Sequence, residues 1–254
     1  MEPILETKDL TKEIREKGKP VFTPVNKVSF RLDPGETLGI VGESGSGKST
    51  LARLVTRLRD ATSGHILLHG QDITRAKGGQ LQWAYQQMQM VFQSPRASFD
   101  PRKTIGYSIG ESLRNQKISP ARRQEQVRSL LEQCGLPSAW ENRYPHELSG
   151  GQCQRAAIAR ALIVEPQVLI CDEATSALDM TVQKRLLELL HRLREEKGLS
   201  LLFICHDLAL VQSFCHRVLV MHEGQVVEEG TPDQVIHAPA SPYTRQLVEA
   251  SLWP

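Results

Sequence analysis

The most constraining stretch of this chain is "TLGIVGESGSGKST", residues 37–50. A short apolar strand runs into a glycine-rich loop that fits G-x-x-x-x-G-K-[ST] at Gly42, Gly47, Lys48 and Ser49, and a helix is expected from Ser49 to about Leu58. Glycines let such a loop curl until successive N–H groups point inward at an anion. Lys48 adds a point charge for β and γ phosphates, and the Ser49 hydroxyl is suited to Mg²⁺. The pattern assigns Gly42, Glu43, Ser44, Gly45, Ser46, Gly47, Lys48, Ser49 and Thr50 to nucleotide phosphates. It does not choose between kinases, GTPases, motors and transport ATPases, which share it.

The remaining chain reads as an α/β protein with a helical insertion. Residues 4–33 give short β segments ("ILETKDL", "NKVSFRL"), and "SGHILLHGQDI" gives a hairpin arm. From Phe92 to about Ile163 apolar residues recur at helical spacing and strand-like runs are absent. Strand and helix then alternate again: "QVLICDE", "MTVQKRLLELLHRLREEKG" ended by Gly198, "SLLFICHD", and the hairpin "RVLVMHEGQVVEEG". In the long helix Leu186, Leu190 and Leu193 form one apolar stripe. A mostly parallel sheet covered by helices follows from this order.

Composition removes several function classes. The chain has 254 residues, 40% hydrophobic and 24% charged, with a formal charge of +2. That charge is too small to argue for nucleic acid or an anionic membrane surface. No apolar run reaches the ~18 residues of a membrane span, and "MEPILETKDL" lacks the apolar region of a secretory signal. The five cysteines are scattered with no C-x-x-C pair, so reduced, structural thiols are expected.

Two further segments carry chemistry. "LSGGQCQR", residues 148–155, places a serine and two glycines before a helix, which is a second anion site as well as an ordinary helix cap. In "VLICDEATSALD" Asp172 and Glu173 stand at a strand end, where neighbouring side chains point in different directions. One carboxylate is then available to a metal's water shell and the other to an attacking water.

The P-loop, "LSGGQ", "VLICDE", "SALD" and "FICHD" follow one another in the order found in the ATP-binding-cassette (ABC) ATPases, and the chain resembles that family over nearly its whole length. The resemblance implies a P-loop NTPase core of RecA-like type with an antiparallel β subdomain, built from residues 1–93 and 164–254, and a helical subdomain over 94–163 carrying LSGGQ. It implies that two cassettes pair head to tail, so that Ser149, Gly150, Gly151 and Gln152 of one close on the ATP held by the other's P-loop. On the same basis Glu173 is the general base and Asp172 supports Mg²⁺. Gln93 in "MVFQSP" touches metal and water, His206 holds the γ-phosphate, and Asp179 crosses between cassettes. The family's early aromatic residue, which stacks on adenine, is replaced by Ile14: either Phe22 takes over after a local shift or Ile14 itself packs on the ring. Cys171 and Ala174 also depart from the usual residues flanking the acidic pair, without removing a catalytic group.

"MVFQSPRASFDPRKTIGYSI" and "GTPDQVIHAPASPYTRQLVEAS" resemble the dipeptide, oligopeptide and nickel importers, in particular the second of their two ATPase subunits. That implies ATP hydrolysis with Mg²⁺ at the cytoplasmic face of the inner membrane. The implied partners are a paralogous ATPase or a second copy of this chain, two permease subunits and an extracytoplasmic binding protein. With no cysteine after Cys215, no iron–sulfur cluster is expected. Residues around Phe92–Ile109 are candidates for docking a membrane subunit, and equally for ordinary lobe core. The competing readings are a soluble ABC ATPase acting on DNA or ribosomes and a non-hydrolysing regulatory cassette. The absence of long coiled-coil insertions weighs against the first, and the presence of both Glu173 and His206 against the second.

Overall fold

The run Thr37–Val41 is buried at every position, as a strand covered on both faces must be. It belongs to a computed structural model that describes residues 2–15, 18, 20–175 and 178–252. Ser176 and Ala177 of the "SALD" segment lie outside the described residues. The chain forms two compact units, Met1–Met88 with Ser200–Pro254, and Gln89–Leu199.

The first unit opens with β1 (Leu5–Ile14) and β2 (Phe22–Leu32), antiparallel partners with Leu5 opposite Leu32 and Ile14 opposite Phe22. After β3 (Thr37–Val41) and α1 (Lys48–Val55), β4 (Ser63–Leu68) and the short β5 (Gln71–Asp72) complete a sheet of order β2-β1-β4-β5. The alternating segments are its strands, and the layer is the antiparallel β subdomain that the resemblance implies. Next comes α2 (Gly78–Gln87), which the sequence pattern did not announce.

The second unit starts at Gln89, within β6 (Met88–Val91), and is helical through α3 (Ile105–Ile109), α4 (Glu111–Asn115), α5 (Pro120–Gln133) and α6 (Gly150–Leu162). Then follow β7 (Val168–Asp172), buried throughout, and α7 (Met180–Lys197). In α7 Leu186, Leu189 and Leu190 are buried, and Gly198 caps its end. Leu193, expected on the same stripe, is half-buried.

The chain returns to the first unit with β8 (Ser200–Ile204), α8 (Leu208–Phe214), β9 (Arg217–His222), β10 (Gln225–Gly230), α9 (Pro232–His237) and α10 (Pro242–Leu252). There β3 lies between β8 and β9, parallel to both, with Ile40 level with Ile204 and with Leu219. Such a pairing needs long crossovers, which is why neighbours in the sheet are far apart in sequence. The β9–β10 hairpin turns through Glu223 and Gly224, both at positive φ, the two-residue turn that matches strand twist.

All five cysteines, Cys134, Cys153, Cys171, Cys205 and Cys215, are unbonded to one another and buried. Burial pushes the thiols of Cys134 and Cys171 up to about 12, so the thiolate that reacts is scarce at neutral pH. The folded protein is expected to resist alkylation at pH 8 while the unfolded chain reacts at every cysteine, as counted by mass spectrometry. Prompt labelling of any of them in the native protein contradicts this packing.

Candidate functional site

The first unit holds the P-loop, His206 and Ile14. Between β3 and α1 the loop closes tightly: Gly47 caps the helix at φ 106, and a Cβ there would stand 2.0 Å from the Pro24 carbonyl oxygen of β2. Only glycine satisfies both the conformation and the contact. Lys48 is buried, and its Nζ donates to the carbonyls of Gly42 and Glu43 at 2.7 Å each and to Ser46 Oγ at 3.3 Å. The ammonium is therefore turned back into the loop rather than out to solvent. The first turn of α1, at Lys48, Ser49 and Thr50, presents its N–H groups forward, and the helix dipole favours an anion there.

His206 follows β8 and is exposed. Because Ile204 is level with Ile40, His206 emerges at the same sheet edge as Gly42, the carboxyl ends of parallel strands where ligands bind in α/β sheets. Its successor Asp207 caps α8, accepting the N–H of Leu210 at 3.0 Å, so the turn that carries the imidazole has a fixed end. Ile14 is the last residue of β1, and its cross-strand partner Phe22 is 59% exposed. Two residues further along β2, Pro24 is the residue that abuts Gly47, so Phe22 lies on the strand that borders the P-loop.

The second unit holds Gln93, LSGGQ, the acidic pair and Asp179. Asp172 is buried at the end of β7, and Glu173, just beyond, is half-buried at φ 50. A glutamate in left-handed backbone is uncommon, and such residues gather at working sites. Gln93 Nε2 donates to Glu173 Oε2 at 2.5 Å, a charge-assisted bond that fixes the carboxylate's direction. Sequence reading gave these two residues roles; the contact across 80 positions is a finding of the structure.

At LSGGQ, Ser149 Oγ accepts the N–H of Gln152 at 3.3 Å and Gln152 Oε1 accepts that of Ser149 at 2.8 Å. This reciprocal cap starts α6 and realises the ordinary reading of the motif. It also leaves Gly150 at the front of the helix, where an added Cβ would meet no atom of the described residues within 4 Å. Asp179 likewise caps α7, accepting the N–H of Val182 at 3.0 Å. Two arginines missed by the motif reading brace this unit. Arg96 donates to the Leu148 carbonyl. Arg160 donates to Ser98 at its carbonyl (2.5 Å) and its hydroxyl (2.9 Å), with its guanidinium over Phe99. The available signal was a charged residue on the otherwise apolar face of "RAAIARALI".

Comparison with known proteins agrees with these features. Residues 25–176 match the ABC transporter family. The chain is 50% identical to the oligopeptide transport ATP-binding protein OppF of Escherichia coli (strain K12), over 89% of this chain and 68% of that one. It is 48% identical to the glutathione import ATP-binding protein GsiA of Pectobacterium atrosepticum, over 89% of this chain but 36% of that protein. Among solved structures it resembles the dimeric ATP-binding cassette MJ0796 in a post-hydrolysis state with ADP and Pi: TM-score 0.84, 28% identity, 90% of this chain and 98% of that one. A P-loop, a capped LSGGQ and an acidic pair at a strand end, found together in a chain with these relatives, place it in the ABC transporter family as an ATP-binding cassette ATPase.

Proposed function

We propose that this chain is the ATP-hydrolysing subunit of a peptide importer, working as one of two cassettes paired head to tail beneath two membrane subunits. The observation that carries the substrate class is the similarity to OppF, joined by the segment "GTPDQVIHAPASPYTRQLVEAS", which resembles that importer branch. Among the described residues no helix is long and apolar enough to cross a membrane, which suits a peripheral subunit on the cytoplasmic face of the inner membrane. An extracytoplasmic binding protein then delivers the peptide.

In this reading Lys48 and the N–H groups of the P-loop bind the β and γ phosphates. His206 donates to the γ-phosphate, and Glu173 accepts a proton from the attacking water while Gln93 orients the carboxylate. Ser149 and the N-terminus of α6 serve the partner cassette's ATP, and Asp179 lies at the junction between cassettes. Positioning and charge stabilisation supply most of the acceleration in such phosphoryl transfer. The donors fit Mg²⁺: Ser49 hydroxyl, Gln93 amide and Asp172 carboxylate are hard oxygens, and a single carboxylate beside phosphates is the usual protein share for that ion. These residues would hold the ion, and its charge would offset the negative charge on the phosphate oxygens. Ile14 and Phe22 are the residues offered to the adenine.

The test is ATP hydrolysis by the chain assembled with its membrane subunits in proteoliposomes. Peptide-loaded binding protein is expected to stimulate turnover several-fold. Stimulation by a nickel chelate or glutathione and not by peptides overturns the substrate class while leaving the cassette reading intact.

A further inference from the structure

The "SPYTRQL" segment, at the entry to α10, reaches the P-loop. Its entry into α10 is held by Glu228 of β10, whose two carboxylate oxygens accept the N–H groups of Ala240 (2.8 Å) and Ser241 (2.9 Å). Thr244 is fully buried. Between these anchors, Tyr243 lays its ring against His222, the last residue of β9, with centroids 3.8 Å apart and planes 28° from parallel. Because β9 runs parallel to β3 with Val220 level with Val41, His222 ends beside the start of the P-loop. The Tyr243 hydroxyl oxygen accepts the backbone N–H of Glu43 at 3.0 Å. Burial raises the phenol's pKa, so it remains a neutral hydroxyl at physiological pH.

The opening of the loop is thus held from two sides. Lys48 Nζ takes the carbonyls of Gly42 and Glu43, and Tyr243 takes the N–H of Glu43. Phosphate attracts the Lys48 ammonium and so competes with those carbonyls. Tyr243 holds a different group, the Glu43 amide at the opening of the loop, and is not among the partners of the Lys48 ammonium. Whatever Lys48 gives up toward phosphate, the phenol continues to hold the loop. We propose that Tyr243 is a positioning residue for nucleotide binding, through which the C-terminal helix keeps the P-loop in its anion-binding curl and sets ATP affinity. This inference rests on the P-loop reading above.

Tyr243→Phe keeps the ring on His222 and removes only the acceptor. The Kd for Mg-ATP of the purified full chain is expected to rise about three- to tenfold, the effect of one neutral hydrogen bond. KM in the assembled transporter should rise by the same factor, with kcat within about twofold and the nucleotide-free unfolding midpoint within a few degrees. A merely structural role would instead lower the midpoint and leave that split absent. An unchanged Kd, or a fall in kcat alone, overturns the inference and leaves ATP binding intact. A wild-type chain that fails to bind Mg-ATP overturns the P-loop reading together with it. If Tyr243→Phe does not fold, hydrogen exchange in the wild type decides. The Glu43 amide should be protected at least about tenfold over its loop neighbours Ser44 and Gly45, and fast exchange there overturns the proposal.

Discussion

Replacing Glu173 by Gln is expected to lower kcat for ATP hydrolysis at least about a hundredfold, with Mg-ATP affinity held within about threefold. The amide has the carboxylate's shape and keeps an oxygen toward Gln93, which donates to Glu173 at 2.5 Å in the native chain. It also tolerates the same φ of 50 no worse than glutamate does. What it lacks is a basic oxygen to take the water's proton. Asp172 does not substitute: it is buried at the end of β7 and belongs to the metal in this reading. Hydrolysis that persists within tenfold of wild type in steady-state assays removes Glu173 as the base.

The second large effect is in binding and stability together. Gly47→Ala places a methyl group 2.0 Å from the Pro24 carbonyl oxygen, at a φ of 106 that side chains seldom adopt. Neither atom is at the end of a flexible side chain, so β2 or the loop must move. A loss of about 3 kcal/mol or more in chemical denaturation is expected, with Mg-ATP affinity falling at least about a hundredfold as the phosphate cradle opens. Gly198→Ala separates strain from collision. That residue caps α7 at φ 67, and an added Cβ would meet no atom of the described residues within 4 Å, so the substitution should cost only about 1 kcal/mol and leave ATP binding unchanged. Equal effects from the two substitutions would mean that the Pro24 contact does not matter.

The parts of the fold legible in the sequence are those whose physics is local. The strand β3, its loop and α1 are announced by one motif of adjacent residues, and β7 and β8 by apolar runs that only doubly covered strands need. The β9–β10 hairpin is legible because its turn demands Glu223 and Gly224 at positive φ. By contrast α2 begins with two glycines and buries only Ala84 completely, so it has little period to detect, and β6 is four residues long. Helices α8, α9 and α10 are short, and no helix is expected at them from the sequence pattern. In the site, residue types were legible and contacts were not. Gln93 with Glu173 and Tyr243 with Glu43 are joined by folding across 80 and 200 positions, distances over which no local pattern operates.

In the proposed function one cassette's LSGGQ completes the ATP site of another. Light scattering on purified Glu173→Gln, with and without Mg-ATP and with bound nucleotide quantified, tests it most directly. The expected result is a nucleotide-dependent dimer holding two ATP, formed by the chain alone or with its transporter's second cassette, and abolished by Ser149→Arg in both cassettes. A chain that binds Mg-ATP yet stays monomeric alone and with that second cassette, or a dimer indifferent to Ser149→Arg, contradicts the claim.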